Sequence, residues 1–155
     1  MVGVIKKALI VMAEDDPDDR LLTMEAVDDI DFPIELIFVE DGEELINYLE
    51  HHERYINLAP NSKPDLILLD LNMPRKDGRE ALLEIKSRTH LRKIPVVILT
   101  TSRSEEDVHF CYQNGASGYI TKPARYDELI AVMQTICNYW FKTVKLPNRF
   151  SKVVE

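Results

Sequence analysis

Five apolar runs punctuate the chain at a near-regular interval: Ala8–Ala13, Ile34–Val39, Leu66–Leu69, Val96–Leu99 and the shorter Tyr119–Ile120. The first four are rich in Ile, Val and Leu, the composition of strands covered on both faces of a parallel sheet. The last is short enough for an edge strand. Between the runs, polar and apolar positions alternate with helical spacing, and the helix ends are legible. Asp16 can cap a first helix, with Pro17 at its first position and Asp18 and Asp19 in its first turn. Asp41–Gly42 opens a second helix that runs to about Glu50. A third spans roughly Arg79 to Ser87, with Leu82, Leu83 and Ile85 inward. A fourth starts near Ser104, carries Glu105, Glu106 and Asp107 in its first turn, and stops at Asn114–Gly115. A fifth runs from about Tyr126 to at least Phe141. A strand followed by a helix, five times over with right-handed crossovers, predicts an α/β fold: a doubly wound parallel sheet between two helical layers. In such sheets the functional crevice lies beyond the carboxyl ends of the strands, where strand order reverses.

The residues at those ends carry the candidate chemistry. The first run ends in Glu14, Asp15 and Asp16, the third in Asp70, and the fourth in Thr100 and Thr101; the fifth is followed by Thr121, Lys122 and Pro123. Carboxylates crowded together raise one another's pKa. A hard divalent cation removes the conflict, and Mg²⁺ favours one or two carboxylates together with water and a substrate phosphate. Lys122 can supply a point charge for a phosphoryl oxygen, and Thr100 a hydroxyl donor for another. Any one of these residues alone reads as well as a helix cap or a solvated turn. Four such features at the same end of four strands together point to a carboxylate that accepts a phosphoryl group.

Composition narrows the class. A chain of 155 residues fits one domain, and 45% hydrophobic with 30% charged residues suits a globule with a core. The balance of 19 Lys+Arg against 27 Asp+Glu, a formal net charge of −8, disfavours binding to nucleic acid or an anionic membrane through bulk charge. The first apolar run holds six residues, too few for a signal-peptide core or a membrane span. The expectation is a cytoplasmic protein with neither a membrane nor a nucleic-acid partner. Cys111 and Cys137 are too few for a disulfide scaffold and read as buried thiols.

The stretches LIVMAEDDPDDR, PDLILLDLNMPRKDGREALLEIK, IPVVILTTS and GASGYITKP resemble the receiver domains of two-component response regulators, over about Lys7 to Trp140. The resemblance implies a flavodoxin-like sheet of order 2-1-3-4-5 with five helices. It implies Asp70 as phospho-acceptor, attacking a phosphohistidine of a partner sensor kinase. Asp15, Asp70 and the backbone carbonyl of Asn72 would ligate Mg²⁺, and Glu14 would act through a metal-bound water. Thr100 and Lys122 would bind the acyl phosphate, and the bond before Pro123 is expected to be cis. Thr100 and Tyr119 would form the switch, Tyr119 rotating inward as Thr100 moves. Glu14 departs mildly from the family, where many members have Asp; Asn72 and Ser102 occupy positions that tune phosphate lifetime. More narrowly, the DDPDDR start, the long insert, the LTTS and the aromatic end YWFKTVKLPN are similar to small regulators that serve cyanobacterial and bacterial phytochromes, which are phosphorylated by a red-light-sensing histidine kinase.

The chain divides into a lead (1–6), a receiver unit (7–141) and a tail (142–155). With nearly all of the length absorbed, no output domain is expected, and the signal is expected to pass to a downstream protein that the sequence does not name. The segment His51–Pro64 is long for a connection and is expected at the end of the sheet away from the carboxylates. On the fifth helix, Leu129, Val132, Met133, Ile136 and Trp140 form one apolar stripe facing the sheet. Tyr126, Ile130, Cys137, Phe141 and Val144 form a second. Either the tail, with Leu146 and Phe150, folds back over this second stripe, or a second copy covers it in a two-fold homodimer through the last helix. Two rival functions are less favoured. A Mg²⁺-dependent phosphatase with an aspartyl-phosphate intermediate needs an acid-base Asp where this chain has Asn72. A pseudo-receiver that only binds a partner has no need of an intact site.

Overall fold

The computed structural model describes residues 7–59 and 63–147. Phe150, the lead and part of the insert and tail lie outside them. Five strands form one sheet: β1 (Ala8–Ala13), β2 (Ile34–Val39), β3 (Leu66–Leu69), β4 (Val96–Thr100) and β5 (Gly118–Thr121). They are all parallel, in the order β2-β1-β3-β4-β5, so β5 is an edge strand as expected. The helices are α1 (Pro17–Asp28), α2 (Gly42–Glu50), α3 (Gly78–Ser87), α4 (Glu105–Gln113) and α5 (Tyr126–Cys137).

Alternation along the strands builds two cores. Val11 and Ala13 of β1, with Ile67, Leu69, Val96 and Ile98, face α2, α3 and α4. Ile10 and Met12, with Leu66, Leu68, Val97 and Leu99, face α1 and α5. Because β1, β3 and β4 are covered on both faces, their side chains are buried almost throughout. The caps follow the sequence: Asp16 accepts from the backbone of Asp18 and Asp19, Asp41 from Glu44, and Ser104 from Asp107. Asp77 and Glu80 form a capping box, which starts α3 at Gly78, one residue before the expected Arg79.

Several expectations are corrected. Leu83 is 45% exposed, because the buried face of α3 is set by Gly78, Ala81, Leu82 and Ile85, and Leu83 lies one helical step beyond it. The last helix leaves α geometry at Cys137 and continues as a widened π-type turn through Asn138–Thr143. The Lys122–Pro123 bond is trans, the ordinary preference of an X–Pro bond. The second stripe of the last helix is largely covered by this chain itself. Cys137 is buried in the core, and Phe141 stacks on Phe32 with ring centroids 5.8 Å apart. Ile130 and Val144 are half-buried, Leu146 is buried, and Tyr126 is exposed. Burial pushes the Cys111 thiol up to about 11 and the Cys137 thiol to about 12, as expected for inert core cysteines.

The insert does not stay at the far end of the sheet. His51 adopts a left-handed conformation (φ 58°), as does Glu53 (φ 55°), and the chain doubles back along α2 as a short 3₁₀ turn, Glu53–Tyr55. Tyr55 packs edge-on against Tyr48 at 5.1 Å and its hydroxyl donates to Glu44, which also pairs with Arg54. Glu53, Arg54 and Tyr55 thereby wall an open cavity of about 390 Å³ with Glu40, Asp41 and Arg75, at the carboxyl end of β2. Among the described residues no helix is long and apolar enough to cross a membrane.

Candidate functional site

Each site residue sits at or just past the carboxyl end of a strand, so its backbone is held by the sheet. The backbone N–H of Asp70 still donates to Ala13 of β1 (3.2 Å), and that of Glu14 to Val39 of β2 (2.9 Å). Lys122 keeps one ladder bond to Thr100 (2.7 Å) before Pro123 ends the pairing. Glu14, Asp70 and Thr100 are buried, whereas Asp15 is exposed at the mouth.

The ammonium of Lys122 is the hub. It pairs with Glu14 Oε1, with Asp70 Oδ2 at 3.3 Å, and with Asp19 Oδ2 at 2.9 Å. Burial pushes the Lys122 ammonium down, but the hydrogen bonds it donates to Glu14 and Asp19 and the charge of Asp70 outweigh it and hold the group above its ordinary value. Burial likewise raises the Glu14 carboxyl, against the lowering effect of Lys122. The second oxygen of Glu14 accepts from the backbone N–H of Asp16 at 3.1 Å. The other Asp70 oxygen, Oδ1, accepts from the backbone N–H of Asn72 at 3.3 Å, and the Asn72 residue is exposed.

Glu14, Asp15 and Asp70 offer carboxylate oxygens that all lie within 4.8 Å of one another. An all-oxygen donor set with three negative charges beside Lys122 fits a hard divalent ion. Of the strand-end residues named from the sequence, Glu14, Asp15, Asp70 and Lys122 are thus brought together. Asp19 was missed: it reads in the sequence as an ordinary acidic residue of a helix first turn, and only the placement of α1 beside the β5–α5 loop shows its carboxylate on Lys122.

On the β4 side Ser102 connects the pieces expected to move. Its N–H lies 3.5 Å from the Thr100 hydroxyl oxygen, and its hydroxyl donates to Asp107 (2.6 Å). Its carbonyl accepts from the half-buried Tyr119 hydroxyl (3.0 Å). Arg79 of α3 grips the same Asp107 carboxylate with two bonds, 2.8 and 2.7 Å. The Arg79 guanidinium, helped by Ser102, holds the Asp107 carboxyl below its usual value. An acid held low in the folded chain stabilises it above the unfolded-state pKa of about 3.9 and loses that contribution as pH falls through the folded value. Asp107→Asn is therefore expected to cost about 1 kcal/mol at pH 7. The difference should shrink as denaturation curves of the two proteins are compared at pH values falling below the unfolded-state pKa of about 3.9.

Known proteins share this fold. A family model for the response regulator receiver domain matches residues 10–134. Response regulator Rcp1 of a Synechocystis species is 40% identical over 139 residues, 90% of this chain and 92% of Rcp1. Its Mn²⁺-bound crystal structure superimposes with a TM-score of 0.83, covering 90% of this chain and 99% of that one. The phosphorylated cyanobacterial phytochrome response regulator RcpA is 42% identical, with a TM-score of 0.85 over 92% of this chain and 99% of RcpA. RPA3017, a response regulator in red light signaling of R. palustris, is 30% identical with a TM-score of 0.84, over 90% of this chain and 98% of that one.

Proposed function

We propose, from the premise that this chain belongs to the response regulator receiver family, that its phosphorylation-accepting switch works through Asp70 and is charged by a phytochrome-type histidine kinase. One observation carries the assignment of Asp70. It is the buried carboxylate that faces both Lys122, at 3.3 Å, and the Glu14–Asp15 pair. In the transfer, the P–N bond of the kinase phosphohistidine breaks as an Asp70 oxygen bonds to phosphorus. The freed imidazole takes a proton from solvent. The protein adds little covalent chemistry beyond position and charge neutralisation.

Mg²⁺ would be held by Asp15, Asp70 and the backbone carbonyl of Asn72, and when bound it supplies charge neutralisation for the phosphoryl oxygens. Glu14, whose two oxygens already serve Lys122 and Asp16, fits a role through water. Lys122 and the Thr100 hydroxyl are the expected partners of the remaining phosphoryl oxygens. Thr100, Ser102 and Tyr119 are the switch, and the α4–β5–α5 surface is the output, read by a downstream protein. The chain works as a cytoplasmic switch that assists its own phosphorylation and dephosphorylation, with receiver unit 7–141. The exposed Asn72 gives no acid-base group for a phosphatase. Pairing of two copies is left a face smaller than the full second stripe, centred on Tyr126 with the edges of Ile130 and Val144, and light scattering at micromolar concentration decides it.

The partner is tested by mixing the chain with a phosphorylated phytochrome-type kinase and with unrelated kinases. Faster transfer from the phytochrome-type donor supports this reading; equal or slower transfer overturns the choice of partner while leaving Asp70 intact as acceptor.

A further inference from the structure

The third carboxylate on Lys122 has no part in the site as the sequence describes it. Asp19 occupies the third position of α1, where an acidic side chain ordinarily favours the helix N-terminus, or turns back to the N-cap N–H in a capping box. Here it cannot do the latter, because the N–H of Asp16 is taken by Glu14 Oε2 at 3.1 Å. Its backbone is fixed from both sides. The N–H of Asp19 lies 3.4 Å from the Asp16 carboxylate, and its carbonyl accepts from the Thr23 hydroxyl at 2.8 Å. The carboxylate is aimed across the narrow cleft between α1 and the β5–α5 loop, onto Lys122 at 2.9 Å.

An ammonium has three N–H donors, and Glu14, Asp19 and Asp70 engage all three. Of these acids, Glu14 and Asp70 belong to the cluster that could share a metal ion, and Asp19 does not. Asp19 is therefore the partner whose charge a cation at that cluster leaves uncompensated, and it holds the ammonium from outside the cluster.

We infer that Asp19 is a positioning residue which tethers Lys122, and that its negative charge weakens the pull of Lys122 on an anionic phosphodonor. The inference rests on the proposal that Lys122 receives a phosphoryl oxygen at Asp70. Removing the charge while keeping an oxygen acceptor leaves the tether in place and strengthens the attraction for the donor.

The probe is acetyl phosphate at saturating Mg²⁺, with the rate of phosphorylation followed by intact mass across donor concentrations. For Asp19→Asn the half-saturating donor concentration is expected to fall about fivefold, the scale of one charge removed at contact distance in a partly wet site. The maximal rate should stay within about twofold, since the reacting atoms are untouched. Asp19→Glu, which restores the charge, should return the half-saturating concentration towards wild type, and Asp19→Ser provides a second neutral variant. A purely electrostatic effect also shrinks with salt, so neutral variants and wild type should converge at 1 M ionic strength, where the Debye length is about 3 Å. An unchanged half-saturating concentration in both neutral variants overturns the inference, as does a change that persists undiminished at high salt. Failure of the wild-type chain itself to take up a phosphoryl group overturns the reading of Asp70, and this inference with it.

Discussion

Asp70→Asn leaves a folded chain that takes up no phosphoryl group. The substitution keeps the size of the side chain and an oxygen that can still accept from the Asn72 N–H, now 3.3 Å from Asp70 Oδ1. It removes the anionic oxygen that must attack phosphorus, and an amide oxygen is a poor substitute. Loss of an attacking nucleophile is felt at about 10³-fold or more in rate, so labelling by a small phosphodonor should drop below detection in intact mass. Folding should not suffer. Lys122 retains Glu14 and Asp19, and the acidic cluster loses one of its mutually repelling charges. In metal-free buffer the variant should therefore be at least as stable as wild type in urea. A variant that labels at the wild-type rate would remove Asp70 from the mechanism. One that unfolds would show that its carboxylate has a structural role instead.

Gly78→Ala is expected to be the most damaging single methyl group near the site. Gly78 opens α3, and its N–H donates to the carbonyl of Leu71 at 3.0 Å. That bond draws the helix start tightly against the end of β3. A Cβ at Gly78 would lie 2.1 Å from the Asp70 carbonyl oxygen and 2.8 Å from the Leu71 Cα. These are backbone atoms, with no side chain that could swing aside, so either α3 retreats or the segment bearing Asp70 shifts. Overpacking of this kind costs about 3 kcal/mol, which in a chain of this size lowers Tm by about 6–12 °C. Phosphorylation should slow as well, since displacing Asp70 disturbs its alignment with Lys122. A thermal melt within about 2 °C of wild type would show that the β3–α3 junction yields more easily than its packing implies.

The legible part of the fold was the part set by local chemistry. Unbroken apolar runs mark strands covered on both faces, and Asp16, Asp41 and Ser104 mark helix starts because their side chains bond the first free N–H groups. The strand-end carboxylates and Lys122 could be read as one site because parallel α/β topology brings those ends together whatever their separation in sequence. What escaped depends on how elements meet. Leu83 shares its composition with Leu82, and only the helical phase fixed by Gly78 turns one out and the other in. The second apolar stripe of the last helix looked unpartnered because Phe32, which covers Phe141, lies more than a hundred residues earlier. The insert reverses at His51 and Glu53, neither a glycine, so no turn residue announces it. Asp19 hid behind a sufficient local explanation, an acid in a helix first turn, although its carboxylate serves Lys122 on another element.

The central claim is that this chain is a switch charged at Asp70. Its most direct test is the mass of the intact wild-type protein after incubation with acetyl phosphate and Mg²⁺, followed by mapping of the modified peptide. The account predicts the gain of a single phosphoryl group, carried on Asp70, released by hydroxylamine as an acyl phosphate should be, and absent when EDTA removes the divalent cation. No gain in mass, or a phosphoryl group mapped to a serine, threonine or histidine, would contradict it.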